Sequence, residues 1–405
     1  MIKLNSFEKE IVPKVKEEHK KLTDDLINVK YEKGENRIVT ELGSIKLSLI
    51  SGTFTQKNYE LKPNYQRRIT WDERKRSKLI ESFIMNVPVP PVFIYETEFN
   101  KYQVMDGLQR ITAIIDFYND KYELKGLEQW SELNGRTYSS LPQKVREGID
   151  RRQISVVTLL KESSKTVEQE EEMKKMVFER LNTGGVKLVD QEIRNALYSG
   201  KFNDLCIDLS ADKIFKTLWN INISNESMED IDIDDDFITD NSLEFTQNFL
   251  YRRMSDVEIV LRYFAMRHVE EYNINLRKFL DYCLRAGNEY SEKELQILKN
   301  EFLNIIKKCY IIFGEKAFCQ YTTIRGKQQW SAPQKMIYDC MMLALTQIEL
   351  NDDNKLDVKA NTEKLKLFYL KNQDSFNGKK QSKQDIITRT ELLTKFINEE
   401  IGLQK

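Results

Sequence analysis

The sequence predicts an α+β protein in which an N-terminal α/β domain precedes a mostly α-helical domain. Two short runs rich in apolar, aromatic and β-branched residues, 91–95 and 101–105, flank a polar segment and predict a β-hairpin. Residues 153–158 predict a further strand. After Lys161 the pattern changes to charged stretches with apolar residues at helical spacing, which predicts long helices. Strands are therefore expected in the first half of the chain and helices in the second.

The chain has 405 residues, enough for two or three domains, because single domains commonly span about 100–200 residues. Charged residues with few apolar positions predict an N-terminal helical arm over 1–35. The α/β domain is expected over 36–162 and the α-helical domain over 163–405. Within the helical domain, residues 226–240 contain eight carboxylates and predict an acidic loop, since their spacing lacks the glycine and terminal glutamate of an EF-hand.

Composition narrows the function classes. The formal net charge is -1, so any contact with nucleic acid has to use a local basic patch. The five cysteines form no CxxC pair and lack the density of a secreted disulfide scaffold. No apolar run approaches the roughly 18 residues that span a bilayer. We therefore expect a cytoplasmic protein with reduced cysteines and no membrane partner.

Residues 104–113 join the second predicted strand to a predicted helix through Asp106 and Gly107. The first backbone N–H groups of a helix have no partner within the helix, and the helix dipole is positive there, so this turn could receive an anion such as phosphate. The helix itself is predicted by apolar or aromatic residues at positions i, i+3, i+4 and i+7, which are Ile111, Ile114, Ile115 and Tyr118.

Two interpretations of this turn stay open on the residues alone. Asp106 is a good N-cap, and Gln109, three residues later, completes a variant of the capping box. Arg110 favours an anion site over a structural cap. A cation in the first turn opposes the helix dipole unless a bound anion reverses the sign of the interaction. The turn is either a structural cap, with Arg110 as an exposed charge, or a site for an anion or a nucleotide.

The most basic local segment is 65–78, with six cations against two carboxylates, a local charge of 6 − 2 = +4. One interpretation is a phosphate-facing surface that contacts nucleic acid. The other is the solvated face of a helix whose buried side is formed by Leu79, Ile80, Phe83 and Ile84. The candidate nucleic-acid residues are Arg68, Arg74, Lys75, Arg76 and Lys78.

Several blocks of sequence together resemble the GmrSD restriction-endonuclease N-terminal domain family, whose fold is similar to that of ParB and sulfiredoxin. The family signature Asp-Gly-x-Gln-Arg follows the predicted hairpin and corresponds to Asp106–Arg110 here. One difference is Leu108, which stands where the commonest family motif has glutamine. The other matching blocks are 65–68 with Trp71, 79–83, 87–91, 178–185, 191–197 and 253–265.

The resemblance implies nucleoside triphosphate binding and hydrolysis, with Mg²⁺ as a further candidate cofactor. It implies that Gly107 lets the backbone approach phosphate, that Arg110 neutralises it and that Gln109 orients ligand or water. Asp106 would hold a metal or polarise water, so the candidate catalytic residues are Asp106, Gln109 and Arg110. The candidate nucleotide-binding residues are Gln66, Arg67, Gly107, Gln109, Arg110, Thr112 and Asn182.

Family members often carry a C-terminal His-Asn-His nuclease domain, whose chemistry needs a histidine base and metal ligands. This chain has only His19, among charged residues, and His268, on an apolar helix stripe where core packing is expected, so that domain is predicted to be absent. The resemblance thus implies a nucleotide-dependent sensor in a bacterial antiphage or modification-dependent restriction system. The expected partners are a separately encoded nuclease and DNA, with homo-oligomerisation open.

Two alternatives also stay open on the residues. One is a non-enzymatic DNA-binding or scaffold protein that keeps the fold but not turnover, with Leu108 in place of the family's glutamine. The other is a metal-dependent ParB-type nuclease using Asp106 and the acidic segment. Related folds host several functions, so the fold by itself does not choose among them.

Overall fold

The computed structural model describes residues 4–12, 23–32, 38–61, 71–161, 170, 173–177, 180, 189–221, 250–251, 253–324, 326–350, 356–377 and 381–403. The chain divides into two compact units. The sheet unit contains the described residues of Glu17–Leu197. The helical unit contains those of Met1–Lys16, Tyr198–Ser227 and Asp236–Lys405. The predicted acidic loop at 226–240 lies outside the described residues.

The sheet unit is built around a five-stranded mixed sheet with the strand order β1-β5-β3-β4-β2. β1 is antiparallel to β5 and β3 is antiparallel to β4, whereas β3 is parallel to β5 and β2 is parallel to β4. The predicted hairpin and the predicted strand at 153–158 are thus confirmed. The strands are β1 (Thr40–Lys46), β2 (Tyr59–Glu60), β3 (Val92–Glu98), β4 (Lys101–Asp106) and β5 (Gln153–Leu159).

Helices pack on one face of this sheet and form its main hydrophobic core, which includes Ile50, Ile80, Val104, Ile111 and Val156. Leu47, Ile50 and Phe54 of α2 are buried at helical spacing, although Ile50 and Thr53 are β-branched residues that favour strands. The helices of the unit are α1 (Asp24–Glu32), α2 (Leu47–Phe54), α3 (Glu73–Met85), α4 (Leu108–Tyr118), α5 (Gln143–Asp150) and α6 (Asp190–Leu197).

A second, smaller core lies on the opposite face of the sheet. Val104 belongs to the main core whereas its neighbour Met105 belongs to this one, as expected from the alternation of side chains along a strand. Ile193 of α6 packs in the same cluster as Met105, together with Tyr95, Leu159 and Met173. α6 therefore covers the face of the sheet that the main helices leave open.

The helical unit is rich in long helices with aromatic contacts, such as Phe202 with Phe264 at 5.2 Å between ring centroids. Its helices are α7 (Lys201–Ser210), α8 (Lys213–Leu218), α9 (Ser255–Arg267), α10 (Leu276–Asn288), α11 (Glu292–Phe313), α12 (Lys335–Thr346), α13 (Val358–Lys371) and α14 (Lys383–Phe396). An antiparallel hairpin of β6 (Tyr321–Ile324) and β7 (Lys327–Trp330) interrupts them. Short 3₁₀ turns occur at Val269–Glu271 and Gly314–Lys316, Ile397–Ile401 is π-helical, and the sheet unit has one further 3₁₀ turn at Ser131–Leu133 among its described residues. The α+β class, with a sheet in the N-terminal region and a helical C-terminal half, is confirmed.

The described N-terminal segment 4–12 has no helix and lies against the helical unit. Arg267 Nε and Nη2 donate to the two carboxylate oxygens of Glu8 at 2.9 and 2.5 Å. Glu271 Oε2 accepts hydrogen bonds from the backbone N–H groups of Ile11 and Val12 at 2.8 and 2.9 Å. His268 is 4% exposed and lies 3.1 Å from Glu271 Oε1, which confirms its predicted core position.

Within the described ranges, no helix combines the length and the apolar character that crossing a membrane requires.

Candidate functional site

The candidate site is the turn between β4 and α4. Gly107 is the N-cap of α4 and adopts the left-handed conformation, with φ 96°. A Cβ atom at this position would lie 2.9 Å from Val92 Cγ2 and 3.2 Å from Val92 Cα. Both the positive φ and the close approach of the neighbouring strand therefore require glycine here.

The predicted capping role of Asp106 is wrong. Asp106 is still part of β4, opposite Phe93, so the cap position falls one residue later on Gly107, which has no side chain. Among the described residues, no side chain caps α4, and the Asp106 carboxylate instead accepts a hydrogen bond from Arg110 Nη2 at 2.8 Å. The turn thus combines an uncapped helix N-terminus with an adjacent arginine–carboxylate pair.

Arg110 was expected to be an exposed charge, and this expectation is also wrong. Its side chain is only 13% exposed, whereas that of Asp106 is 45% exposed. Nη2 also donates to the Pro91 carbonyl oxygen at 3.1 Å, which fixes the guanidinium against the start of β3. Nε is buried and has no hydrogen-bond partner among the residues that the structure describes. Arg110 is therefore held in place with part of its donor capacity unused.

The two residues between the glycine and the arginine have different surroundings. Leu108 is 8% exposed and belongs to the main core, so the residue that departs from the family motif fills an apolar position. Gln109 makes no capping box, because its Oε1 accepts the backbone N–H of Trp71 at 3.1 Å. Gln109 thereby ties the segment preceding α3 to the turn. Thr112 is half-buried, one helical residue beyond Ile111.

The other predicted ligand residues, Gln66, Arg67 and Asn182, lie outside the described residues, as does Arg68. The structure thus brings Asp106, Gly107, Gln109, Arg110 and Thr112 together at one turn, as their sequence proximity implies. Whether the remaining three approach this turn stays a prediction.

The basic residues of α3 differ in their environments. Arg76 turns inward, with Nη1 3.3 Å from Asp116 Oδ2 and Nε donating to the Trp71 carbonyl at 2.9 Å. Lys78 pairs with Glu128 at 3.1 Å. Arg74 and Lys75 are exposed on the helix surface. The buried side predicted for α3 is confirmed, because Leu79, Ile80 and Phe83 are buried and Ile84 packs against the same core.

Sequence reasoning did not assign the polar residues of α6 to a site. Four of them are almost completely buried: Gln191, Glu192, Arg194 and Asn195. Gln191 Nε2 donates to Asn195 Oδ1 at 2.9 Å, and Arg194 Nη1 donates to Gln191 Oε1 at 3.2 Å. Buried polar networks of this kind are costly unless their members are hydrogen-bonded, and satisfied networks make the core more rigid. The available signal was a run of four polar residues interrupted by only one apolar residue, on a helix that had to pack against a sheet.

Within the described ranges, no group of three or more His, Cys, Asp or Glu side chains is arranged to hold a metal ion. A single carboxylate such as Asp106 suits Mg²⁺ only where the phosphates of a substrate supply further oxygen ligands.

Comparison with known proteins adds a family assignment. Residues 50–199 match the family model described as GmrSD restriction endonuclease, N-terminal domain. No curated protein and no solved structure matches the chain. The matched range contains most of α2, all of α3 to α6 and the turn at Asp106–Arg110. Residues 50–199 of this chain are therefore similar to the GmrSD restriction endonuclease N-terminal domain, and this similarity indicates involvement in a restriction system.

Proposed function

We propose that the sheet unit binds a nucleoside triphosphate at the turn between β4 and α4 and hydrolyses it. In this proposal the protein is the nucleotide-dependent regulatory component of a restriction system and acts with a separately encoded nuclease. The observation that carries the proposal is the incompletely satisfied Arg110, which lies beside an uncapped helix N-terminus. Both features present hydrogen-bond donors, and both favour an anion.

Arg110 would bind a phosphate oxygen directly. Buried polar groups in native proteins are almost always hydrogen-bonded, so the buried Nε points to an acceptor supplied by a ligand or by residues beyond those described. The contacts of Nη2 with Asp106 and Pro91 hold the guanidinium plane in place before the ligand arrives. Arginine matches phosphate geometry better than lysine because its donors lie in a rigid planar fork.

Asp106 would act on the water or the metal. Its side chain is 45% exposed and only Oδ2 accepts the hydrogen bond from Arg110, so the carboxylate can also face solvent. In hydrolysis a water oxygen bonds to the γ-phosphorus while the bond from that phosphorus to the β–γ bridging oxygen breaks, giving a nucleoside diphosphate and phosphate. Asp106 would accept the proton that the water loses, or supply one oxygen ligand to Mg²⁺.

Gln109 has a positioning role in this proposal. Its Oε1 is engaged by the Trp71 N–H group, which leaves the amide nitrogen as the donor toward ligand or water. The same hydrogen bond joins the turn to the segment that leads into α3. A ligand bound at the turn would therefore also affect the residues that precede this helix, through the hydrogen bond between Gln109 and Trp71.

The test is a thermal-shift scan of the full chain against the four ribonucleoside triphosphates with Mg²⁺. A ligand at about 100 times its dissociation constant stabilises the native state by roughly 2.7 kcal/mol, which is a readable shift. Arg110→Lys is expected to remove the shift, because lysine keeps the charge but lacks Nε and the planar fork. Arg110→Ala is less suitable, since truncating a side chain that is 13% exposed also disturbs packing.

The matched control is Arg152→Lys. Arg152 is another half-buried arginine of the sheet unit, and its Nε donates to the Phe83 carbonyl at 3.1 Å. This control should keep the wild-type shift. Asp106→Asn should keep binding but lose phosphate release. Absence of a shift with every nucleotide, or an equal loss in both arginine variants, would contradict the proposal and favour the DNA-binding or scaffold alternative.

A further inference from the structure

Trp71, in the segment that leads into α3, is fixed by both of its backbone groups. Its N–H group donates to Gln109 Oε1 at 3.1 Å, and its carbonyl oxygen accepts a hydrogen bond from Arg76 Nε at 2.9 Å. The Trp71 side chain packs against the main core of the sheet unit. This residue beside the candidate turn is therefore held at two points, one on α4 and one on α3.

Arg76 is itself held from inside the sheet unit. Its side chain is 17% exposed, and Nη1 lies 3.3 Å from Asp116 Oδ2. The guanidinium carbon lies 5.6 Å from the centre of the Tyr122 ring, within the range of a cation–π contact. Arg76 stands in the first turn of α3, where a cation opposes the helix dipole, so the Asp116 carboxylate offsets an otherwise unfavourable charge. These contacts hold the guanidinium between α3 and α4.

The contacts close into a ring. Gln109 and Asp116 lie on the same face of α4, because seven residues correspond to about two helical turns. Gln109 contacts Trp71, Trp71 contacts Arg76, and Arg76 contacts Asp116. We call these four residues the Arg76 clamp. Moving the segment 71–76 away from α4 would break the hydrogen bond at each end of the clamp at once.

The clamp fixes the orientation of the Gln109 side chain. Because Oε1 faces the Trp71 N–H group, Nε2 is the end of the amide that is left to act as a donor. A glutamine side chain loses much rotamer freedom when it is ordered, so a rigid partner organises it before a ligand binds. Since Arg76 holds Trp71, the position of the Gln109 amide depends on Arg76.

We infer that Arg76 is a positioning residue of the nucleotide site. Through Trp71 it holds Gln109 in the orientation that directs the attacking water at the γ-phosphorus. The inference rests on the function proposed above and adds to it a residue that contacts neither nucleotide nor water. Nε of Arg76 binds the carbonyl of the same residue whose N–H group binds Gln109, so the two hydrogen bonds act in series.

The first test is steady-state nucleotide hydrolysis by the full chain with Arg76→Lys, Gln109→Ala and the double variant. Lysine keeps the charge near Asp116 but does not reproduce the planar fork that also reaches the Trp71 carbonyl. For Arg76→Lys, kcat should fall by up to about 100-fold and KM should stay unchanged, because the water would be misplaced and the nucleotide would not. The double variant should be no slower than Gln109→Ala, since both changes remove one effect.

The matched control is Arg152→Lys, the same change at an arginine whose Nε also donates to a backbone carbonyl, that of Phe83, at 3.1 Å. This control should keep the wild-type kcat. A purely structural role for Arg76 would instead multiply its loss in kcat with that of Gln109→Ala. Such independent losses, or an equal loss of kcat in Arg152→Lys, would overturn the inference.

A second measurement uses no nucleotide. Hydrogen–deuterium exchange mass spectrometry follows the peptide that contains Trp71, whose amide is protected by the Gln109 side chain. Arg76→Lys and Gln109→Ala should both speed its exchange, whereas Arg152→Lys should not. Unchanged exchange in Arg76→Lys would overturn the inference. A wild type that shows this exchange pattern but no hydrolysis would refute the proposed function while supporting the hold of Arg76 on Gln109, so the two failures are distinguishable.

Discussion

Arg267 and Arg110 each lie beside a carboxylate, but they differ in how completely their donors are used. Arg267 Nε and Nη2 donate to both oxygens of Glu8, and Nη1 lies 2.9 Å from Glu301 and 3.1 Å from the Tyr263 hydroxyl. The side chains of Arg267 and Glu8 are 1% and 3% exposed. This pair closes the N-terminal segment onto the helical unit.

Arg110 uses only Nη2 among its described contacts, toward Asp106 and the Pro91 carbonyl. Its partner carboxylate is 45% exposed. Since an unsatisfied buried donor costs free energy, a protein retains one where a ligand supplies the missing acceptor or where strain serves a function. The difference between the two pairs separates an arginine that stabilises the fold from one that is available for binding.

The largest expected effect on stability comes from breaking the ion pair of Glu8 and Arg267. Glu8→Ala should lower the free energy of unfolding of the helical unit by about 3–5 kcal/mol, because it leaves Arg267 as a buried charge without its main partner. Urea denaturation followed by circular dichroism would measure this. As a control, Glu292→Ala removes an exposed ion pair with Lys201 and should cost less than about 1 kcal/mol. Similar losses in both variants would refute the structural role given to Glu8.

The pH dependence of stability sharpens this prediction. Burial by itself raises the pKa of Glu8, but hydrogen bonds from His268 and Arg267 outweigh burial and hold the pKa at about 2, below the ordinary value of 4.5. The stabilisation by the charged Glu8 should therefore be complete above pH 4.5 and be lost as the pH falls toward 2. The stability difference between the wild type and Glu8→Gln should accordingly shrink over this range.

The second effect concerns the backbone of the candidate site. Gly107→Ala should destabilise the sheet unit by about 1–3 kcal/mol, because the left-handed conformation is strained for alanine and the new Cβ meets Val92. Gly135→Ala is the matched control, since Gly135 also has a positive φ, 78°, but no heavy atom of the described residues lies within 4 Å of its Cβ position. Thermal denaturation should show a larger loss for Gly107→Ala. Equal losses would mean that contact with Val92 adds nothing.

The smallest effect on stability is expected for the ion pair of Asp106 and Arg110. Asp106→Asn should change the free energy of unfolding by less than about 1 kcal/mol, because the pair is partly exposed and Asp106 caps no helix. Urea denaturation in the absence of nucleotide would measure this change. A loss of several kcal/mol, comparable with that of Glu8→Ala, would show that Asp106 and Arg110 form a structural pair like that of Glu8 and Arg267.

Local patterns predicted the parts of the fold that local physics controls. The apolar, aromatic and β-branched content of residues 101–105 was sufficient to predict β4, and the spacing of Ile111 and Ile114 was sufficient to predict α4, because these are the residue types and spacings that buried strands and helices require. α2 was missed since Ile50 and Thr53 are β-branched, and only packing of Leu47, Ile50 and Phe54 into the core favours the helix. The β6–β7 hairpin was missed because aromatic contacts at its base, distant in sequence, hold it.

By itself the sequence determined the α+β class, the position of the strand–turn–helix junction and the residues gathered at it. Only the tertiary structure decided what those residues do there. Pairing of Asp106 with Phe93 extended β4 by one residue, which moved the cap to Gly107 and left the carboxylate for Arg110. The register of a strand depends on its neighbours in space, so no pattern within the turn could reveal whether Asp106 caps the helix or pairs with the arginine.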